Sequence, residues 1–286
     1  MWIIAAFGSA LFAGLTAILA KSGIKNTDSN VATALRTIVV LIFSWVMVFV
    51  TGSQTGITAI DNKTLLFLVL SGISTGVSWL FYFKALQMGD VNKVTPIDKS
   101  SILLTMLMAF LFLGEQITFF KVMAMILIGT GTYLMIQKKE ITPARTKGKS
   151  WLFYALGSAV AASLTSILGK VGIEGIDSTL GTAVRTVVVL IMAWFVVFIT
   201  GKHNTIKNID KKSSIFLVLS GFATGGSWLC YYKALQEGPA SVVVPIDKLS
   251  ILVTVAFSYV VFKEKLNRKS VIGLALIVIG TLSLLI

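Results

Sequence analysis

The chain has 286 residues, of which 56% are hydrophobic and 13% are charged, and its 25 Lys and Arg outnumber its 12 Asp and Glu. Soluble domains carry about 25% charged residues, so this composition excludes an ordinary soluble enzyme and indicates an integral membrane protein. A single histidine and a single cysteine, Cys230, provide no pair for an internal disulfide or a histidine metal site. We therefore expect neither a metal nor a cofactor.

Apolar runs of about the 20 residues that cross a bilayer recur along the whole chain. They lie at 2–20, 31–50, 64–86, 94–113, 118–137, 151–169, 180–199, 213–235, 243–262 and 270–286. The alternating polarity of a transmembrane β-strand is absent from them. The sequence therefore predicts an all-α integral membrane protein with ten transmembrane helices.

Residues 2–137 and 151–286 are two copies of one pattern, aligned without a gap at a constant offset of 149 positions, with about half the paired residues identical. We therefore expect a five-helix repeat at 1–137, a basic cytoplasmic linker at 138–150 and a second repeat at 151–286. Because five is an odd number, the second repeat enters the membrane upside down. Two inverted-topology repeats are typical of secondary transporters whose site lies between the halves.

The loop charges support this inversion. Residues 51–63 contain one lysine, whereas the equivalent loop contains Lys202, Lys207, Lys211 and Lys212. Cytoplasmic loops are enriched in Lys and Arg, so the side that carries the variable cations is predicted to be cytoplasmic. With this orientation both termini lie outside, and we expect the protein to be a multi-pass protein of the plasma membrane.

Other cations are present in both copies and face opposite sides of the membrane, so they do not serve orientation. They are Arg36 and Arg185, Lys84 and Lys233, Lys99 and Lys248, and Lys21 and Lys170. An ionised group at membrane depth costs at least ~2.5 kcal/mol on insertion scales, which favours a functional role. The alternative is that the lysines extend to the headgroups at the interface.

The sharpest local pattern is Pro-Ile-Asp-Lys, at 96–99 and again at 245–248. Because proline is tolerated in a first helical turn, each motif is predicted to open a helix, with its aspartate stabilised by the helix dipole. We predict two polar clusters, formed by Arg36, Lys84, Asp98 and Lys99 toward the cytoplasm and by Arg185, Lys233, Asp247 and Lys248 toward the exterior. Structural ion pairs that determine helix register are the alternative.

The third helix of each copy carries small residues followed by aromatic ones. Gly72 and Gly76 have the spacing that lets another helix approach closely, and helix packing is sufficient to explain them. Trp79, Tyr82, Trp228 and Tyr231 come directly after these faces and are candidates to line a cavity. The alternative for these aromatic residues is the ordinary belt at the membrane interface.

The repeated unit resembles the EamA unit of the drug/metabolite transporter superfamily over essentially the whole chain. The likeness rests on the ending Trp-x-x-Tyr-x-Lys-Ala-Leu of the third helix, the Pro-x-Asp-Lys motif, the following Glu115 or Glu264 and a glycine-bearing last helix. The motif is most similar to a short branch whose members are often single five-helix units that would work as inverted dimers. Here two very similar units are joined, which indicates a recent or engineered fusion.

The resemblance implies a ten-helix inverted-repeat bundle that works by alternating access, with the first four helices of each unit around a central cavity. The last helix, with Gly129 and Gly131 or Gly273 and Gly280, resembles a peripheral, interface-forming helix. Many ten-helix relatives are thought to keep both termini in the cytoplasm, whereas the loop charges here place them outside. The direction of transport therefore does not follow from the resemblance.

On this basis we expect a secondary transporter that exports or exchanges a small polar metabolite, such as an amino acid or an organic anion. The substrate-binding candidates are Arg36, Trp79, Tyr82, Lys84, Arg185, Trp228, Tyr231 and Lys233, and the gating or coupling candidates are Asp98, Lys99, Asp247 and Lys248. Glu115 and Glu264 are weaker coupling candidates. The alternatives are a lipid-linked carrier flippase and a non-transporting membrane scaffold.

The expected partners are a small-molecule substrate and the lipid bilayer. The net charge of +13 does not indicate nucleic-acid binding, because the excess lies in short loops on one face. The two repeats form a pseudo-dimer within one chain, and a homo-oligomer remains open.

Overall fold

The structure, a computed structural model, describes residues 1–23, 27–88, 91–135, 150–262 and 267–286. The described residues form twelve α-helices: α1 (Trp2–Gly23), α2 (Ser29–Val50), α3 (Asn62–Met88), α4 (Val91–Lys99), α5 (Ser101–Phe112), α6 (Phe119–Met135), α7 (Ser150–Gly172), α8 (Ser178–Ile199), α9 (Lys211–Glu237), α10 (Ala240–Lys248), α11 (Ser250–Phe262) and α12 (Arg268–Leu282). Short 3-10 turns lie at Ser53–Ala59, Lys202–Asn208 and Ser283–Leu285. No β-strand occurs in these ranges, so the all-α prediction is confirmed there.

Eight helical segments within the described residues are long and apolar enough to cross a membrane. The helix at Phe119–Met135 is apolar but shorter. The predicted span at 94–113 is not one helix, because α4 and α5 meet at Ser100. Large apolar side chains remain exposed on the outer surface, including Ile4 at 77% and Leu111 at 76%. An apolar exterior of this kind fits a multi-pass membrane protein.

The prediction that each Pro-Ile-Asp-Lys motif opens a helix is wrong. The helices begin earlier, at Val91 and Ala240, so Pro245 lies inside α10 and both motifs occupy helix C-termini. Proline removes a backbone donor and crowds the preceding turn. The chain then tightens, with the amide of Leu249 donating to the carbonyl of Ile246 at 2.9 Å. Turns of this kind at Ser100 and Leu249 separate α4 from α5 and α10 from α11; they lie after the prolines, whereas proline crowds the turn before it.

Four aspartates shared by the two copies begin helices. Asp28 accepts from the amide of Asn30 at 2.9 Å, and its counterpart Asp177 accepts from the amide of Thr179 at 2.8 Å. Asp61 and Asp210 cap α3 and α9 in the same way, accepting from the amides of Thr64 and Ser213. Aspartate is among the preferred N-cap residues, so capping accounts for the repetition of these four carboxylates.

Equivalent helices of the two repeats pack against each other in opposite directions. The side chain of Asn30, at the start of α2, donates to the Thr200 hydroxyl at the end of α8 at 3.5 Å. At the other end of this pair, the Ser53 hydroxyl donates to Asp177 at 2.8 Å. Helices α2 and α8 are therefore antiparallel.

Helices α6 and α12 form a second antiparallel pair, and the glycines allow their close approach. A Cβ on Gly131 would lie 2.5 Å from the carbonyl oxygen of Gly273, and a Cβ on Gly280 would lie 2.9 Å from the Cβ of Leu127. Real Cβ atoms do not come this close to backbone oxygen, so the backbones meet only because side chains are absent. The last helices of the two repeats thus form an interface with each other.

The third helices also pack across the repeats. A Cβ on Gly72 would lie 2.7 Å from the Cβ of Val188 on α8, and a Cβ on Gly221 would lie 2.5 Å from the Cβ of Val39 on α2. Close helix packing therefore explains these glycines, as the sequence indicated.

Candidate functional site

Arg185 is enclosed in the interior with only 2% of its surface exposed. Its Nε donates to the Ser71 hydroxyl at 3.0 Å and its Nη2 donates to the Thr75 hydroxyl at 2.5 Å, both on α3 of the other repeat. Its guanidinium carbon lies 5.2 Å from the Trp228 ring centroid and 5.0 Å from that of Tyr232. No carboxylate forms an ion pair with it, and Nη1 has no hydrogen-bond partner among the described residues. A buried cation in this state costs free energy, which marks it as a functional candidate.

Arg36 is the equivalent arginine of the first repeat, and it lines a cavity. This cavity of about 90 Å³ is also lined by Asn30, Thr33 and Trp79, with Ala193 and Val196 from α8. Trp79 packs against the buried cluster that contains Ala193. It therefore contributes to the inside of the bundle rather than to an aromatic belt.

A larger cavity of about 610 Å³ adjoins the first and shares Asn30 and Val196 with it. Its walls include Lys84 on α3, Asp28 before α2, Thr200 after α8 and Lys202 in the following turn. We call the part of the molecule around these four residues the Lys84 end. Together the two cavities lead from the Lys84 end to Arg36 and Trp79.

The opposite end, which we call the Lys170 end, is closed by side chains that bind backbone. Lys170 Nζ donates to the carbonyls of Leu235 at 2.7 Å and Gly238 at 2.5 Å. The side chain of Gln236 donates to the carbonyls of Ile173 at 2.7 Å and Ile176 at 2.6 Å. These bonds join the C-terminus of α9 to that of α7.

Glu115 adds a third connection at the Lys170 end. Its carboxylate accepts from the amide of Ala240 at 2.6 Å and that of Ser241 at 3.1 Å, and also from the Ser241 hydroxyl. A carboxylate at a helix N-terminus is favoured by the unpaired amides and by the helix dipole. Glu115 therefore ties the loop after α5 to α10 of the other repeat. Its counterpart Glu264 lies outside the described residues.

Asp98 and Asp247 make equivalent hydrogen bonds between the repeats. The Ser158 hydroxyl on α7 donates to Asp98 at 2.8 Å, and its counterpart Ser9 on α1 donates to Asp247 at 2.5 Å. Neither aspartate pairs with an arginine, and the only ion pair of either among the described residues joins Asp247 to the neighbouring Lys248 at 3.2 Å. In the described chain, Asp98 therefore forms no ion pair with Arg36 or Lys84, and Asp247 forms none with Arg185 or Lys233, although the sequence placed them in the same clusters. Both aspartates lie at helix C-termini, where the helix dipole disfavours a negative charge. Side-chain donors stabilise them instead.

The two predicted clusters are not assembled as the sequence indicated. Arg36, Trp79 and Lys84 line the adjoining cavities, and Arg185 meets Trp228. Lys233 instead pairs with Glu237 on its own helix at 2.9 Å, with 49% of its side chain exposed. Lys99 and Lys248 line a different cavity. The sequence indicated which helices carry these charges. It did not indicate the distances between the charges in the folded protein.

The two predicted tyrosines lie beside these groups without lining the Arg36 cavity. The Tyr231 hydroxyl is hydrogen-bonded to the Ser166 hydroxyl at 2.8 Å, and its ring meets Tyr232 edge-on at 5.3 Å. Tyr82 packs against the buried residues Ala85, Val94 and Ala155. Both tyrosines therefore support neighbouring helices.

Sequence reasoning missed several polar residues of the site. Thr33 lines the Arg36 cavity, whereas its counterpart Thr182 is fully buried. Thr33 and Thr182 occupy equivalent positions of the two copies, so the repeat itself could have identified them. Asn30 carried no such signal, because its counterpart is Thr179.

These features define a multi-pass α-helical membrane protein in which Arg36 lines a cavity between the two repeats. The family model of the EamA-like transporter family matches residues 1–137 and 149–286. The chain belongs to the EamA-like transporter family, and the resemblance in the sequence is confirmed.

Two curated relatives match parts of the chain. An uncharacterized transporter of Sinorhizobium sp. is 43% identical over 136 residues, which are 48% of this chain and 96% of that protein. An uncharacterized protein of Methanocaldococcus jannaschii is 37% identical over 101 residues, which are 32% of this chain and 73% of that protein. Each of these relatives is therefore about as long as one repeat.

A solved crystal structure shares the fold of the chain. It has a TM-score of 0.78 and 17% sequence identity, and the match covers 98% of this chain and 95% of the other. At this identity the likeness concerns the fold alone.

Proposed function

We propose that the protein is a secondary carrier of a small anionic or zwitterionic metabolite that works by alternating access between two inverted five-helix repeats. One observation supports this above all others: equivalent arginines are in opposite situations. Arg36 lines a cavity, whereas Arg185 is enclosed by Ser71, Thr75, Trp228 and Tyr232. In a carrier with inverted repeats, exchange of these two situations moves the access route from one side to the other.

The chemistry of the cavity supports an anionic group on the substrate. Arg36 provides a planar donor pair that suits carboxylate or phosphate, and Lys84 and Lys202 add cations along the approach. Asp28 is the single carboxylate that lines these two cavities within the described chain. Trp79 provides an apolar face, and Asn30 and Thr33 provide hydrogen-bonding groups. An amino acid or organic acid matches this set of groups.

The antiparallel pairs α2 with α8 and α6 with α12 support the inverted arrangement. We place ten spans in the membrane, counting the broken helices α4–α5 and α10–α11 as one span each. The Lys84 end carries Lys202, Lys211 and Lys212, so the positive-inside rule assigns it to the cytoplasm. The described conformation is then inward-open in the plasma membrane.

The experiment is thermal unfolding of the detergent-purified protein with amino acids, organic acids, sugar phosphates and neutral sugars. A ligand at 100 times its dissociation constant adds about 2.7 kcal/mol to the native state. We expect stabilisation by an anionic or zwitterionic compound that is lost in Arg36→Gln and kept in Lys211→Gln, whose side chain is exposed at the start of α9. Stabilisation by neutral sugars alone, or equal stabilisation of both variants, contradicts the proposed substrate class.

A compound that passes this test is then supplied to proteoliposomes, where counterflow is measured. Counterflow that is abolished by Arg36→Gln supports a carrier. Binding without counterflow contradicts the carrier and favours a scaffold.

A further inference from the structure

A further cavity lies between the last helices of the two repeats. Its volume is about 500 Å³, and its walls come from α1, α4 to α6 and α10 to α12. Four pairs of equivalent residues line it together: Lys99 with Lys248, Ile102 with Ile251, Ile128 with Ile277 and Thr132 with Thr281. The cavity is therefore centred where the two repeats meet, and we call it the interface cavity. It shares no lining residue with the two cavities near Arg36 in the described chain.

The interface cavity combines an apolar wall with two ammonium groups. Isoleucines from both repeats form much of the wall, and Lys99 and Lys248 are exposed. Lys248 retains 48% exposure of its side chain although it lies 3.2 Å from Asp247. Asp98, the other nearby carboxylate in sequence, accepts from Ser158. Two cations that face an apolar space, of which only Lys248 forms an ion pair in the described chain, favour an anion bound beside them.

Thr281 is an independent sign that a ligand is bound. Thr281 is fully buried and lines the interface cavity, yet its hydroxyl has no hydrogen-bond partner in the described chain. A buried polar group without a partner destabilises the folded protein. A hydrogen-bonding group of a bound molecule would remove this cost.

A side branch connects the interface cavity with the outer surface of the bundle. This space of about 210 Å³ shares Lys99, Ile102, Ile128 and Thr132 with the main cavity and extends to Tyr133. Tyr133 is 70% exposed on the apolar face of α6, which faces lipid in the proposed membrane arrangement. The cavity therefore has room for a charged head and, through the branch, an exit for a hydrocarbon chain.

We propose that the interface cavity binds an anionic amphiphile, with its carboxylate or phosphate head between Lys99 and Lys248 and its chain along the isoleucines toward Tyr133. The Thr281 hydroxyl donates to the head group or to the adjoining ester oxygen. The site is separate from the Arg36 cavity, so this proposal stands or fails independently of the transported metabolite.

The test measures binding by native mass spectrometry and thermal unfolding with four probes. Oleate and oleoyl lysophosphatidic acid carry the same chain on a carboxylate or a phosphate, monoolein carries it on a neutral head, and inorganic phosphate has no chain. We expect the two anionic amphiphiles to bind at least about tenfold more tightly than monoolein, because charge-assisted hydrogen bonds add to the apolar contact. The stronger of the two identifies a fatty acid or a lipid phosphate as the source.

The combined Lys99→Gln and Lys248→Gln variant should reduce this affinity at least about tenfold, whereas Lys211→Gln with Lys212→Gln, both exposed on α9, should not. Thr281→Val keeps the side-chain shape and should weaken binding severalfold without lowering the unfolding temperature of the free protein, because the hydroxyl has no hydrogen-bond partner to lose in the described chain. Equal binding of monoolein, or equal loss in the α9 variant, overturns the proposal. If the lysine variant fails to fold, unchanged binding by Thr281→Val overturns it.

Discussion

Arg36 and Arg185 occupy equivalent positions in two similar repeats, yet one lines a cavity and the other is 2% exposed beneath two aromatic rings. The residues that receive Arg185 are Ser71 and Thr75. Their counterparts Ser220 and Thr224 bond to the carbonyl and the hydroxyl of Thr16, just as Ser71 and Thr75 bond to those of the equivalent Thr165, so the two repeats differ here only in the bound arginine. The same side chains therefore exist in both repeats to enclose either arginine, which is what an exchange of states requires.

Replacement of Arg185 by methionine should leave the stability of the free protein nearly unchanged. Among the described residues the guanidinium has no carboxylate partner, so its desolvation cost offsets its ring contacts and hydrogen bonds, and a net change within about 1 kcal/mol follows. Ser71 and Thr75 keep other partners, the carbonyls of Thr165 and Ser71. Thermal unfolding measures this, and Leu180→Ala, a fully buried truncation expected to cost about 2–5 kcal/mol, calibrates the assay. A loss as large as that of Leu180→Ala would contradict the idea that Arg185 is kept for function.

Replacement of Glu115 by glutamine should open the Lys170 end. The change removes the charge that α10 binds through the amides of Ala240 and Ser241, and we expect a loss of about 1–2 kcal/mol in the closed conformation. The measurement is the rate of amide hydrogen exchange at the start of α10. Lys121→Gln is the matched control, because Lys121 forms only a long ion pair of 3.8 Å with Glu115, and its other contacts, the Gln116 carbonyl and the Phe110 ring, do not involve α10. Equal exchange rates in the two variants would contradict the role of Glu115.

The close approach of α6 and α12 predicts different effects for two neighbouring glycines. A Cβ on Gly131 meets the backbone of Gly273 at 2.5 Å, so Gly131→Ala should destabilise the protein by about 1–3 kcal/mol through overpacking. A Cβ on Gly129 meets only the end of the Leu103 side chain at 3.0 Å, so Gly129→Ala should be tolerated. Unfolding temperatures of the two variants provide the test. A larger loss for Gly129→Ala would mean that the helices do not meet at Gly131.

The pKa of Asp177, which lies at the Lys170 end, predicts that the stability of the folded protein depends on pH. Burial opposes its ionisation, but hydrogen bonds from Ser53, Leu180 and Thr179 together outweigh burial, and the pKa of Asp177 is lowered. A lowered pKa means that its stabilising contribution is present above the pKa of the unfolded chain and is lost as the pH falls through the folded value. Asp177→Asn keeps the cap and removes the charge. Its unfolding temperature should be below that of the unmodified protein at pH 7, with the difference vanishing in acid; a constant difference would contradict this.

Composition and apolar runs were sufficient to predict helices across a membrane, and the offset between the copies was sufficient to predict a repeat. The helix breaks at Ser100 and Leu249 were not predicted, because a proline near a helix start and one inside a short helix look alike in sequence. The bonds of Asp98 to Ser158 and of Asp247 to Ser9 join residues that are far apart in the chain. Such pairings arise only from tertiary packing, so the sequence suggested nearer lysines and arginines instead.

The same limit applies to the site. Repetition identified Arg36, Trp79 and Lys84, and these do line adjoining cavities. Repetition alone did not show that the copies differ in state, because identical residues in both repeats carry no information about which of them is enclosed. The asymmetry between Arg36 and Arg185 is a property of the conformation.

The central claim is most directly tested by the reactivity of cysteines placed at Thr33 and Thr182 in a protein that carries Cys230→Ala. Thr33 lines the Arg36 cavity, whereas its equivalent Thr182 is fully buried. In the free protein a small water-soluble thiol reagent should label Thr33→Cys at least about tenfold faster than Thr182→Cys, because labelling of a buried group requires opening. Addition of Glu115→Gln should lower the labelling rate of Thr33→Cys and raise the labelling rate of Thr182→Cys. Equal rates in the free protein, or two rates that rise together, would contradict alternating access between the two repeats.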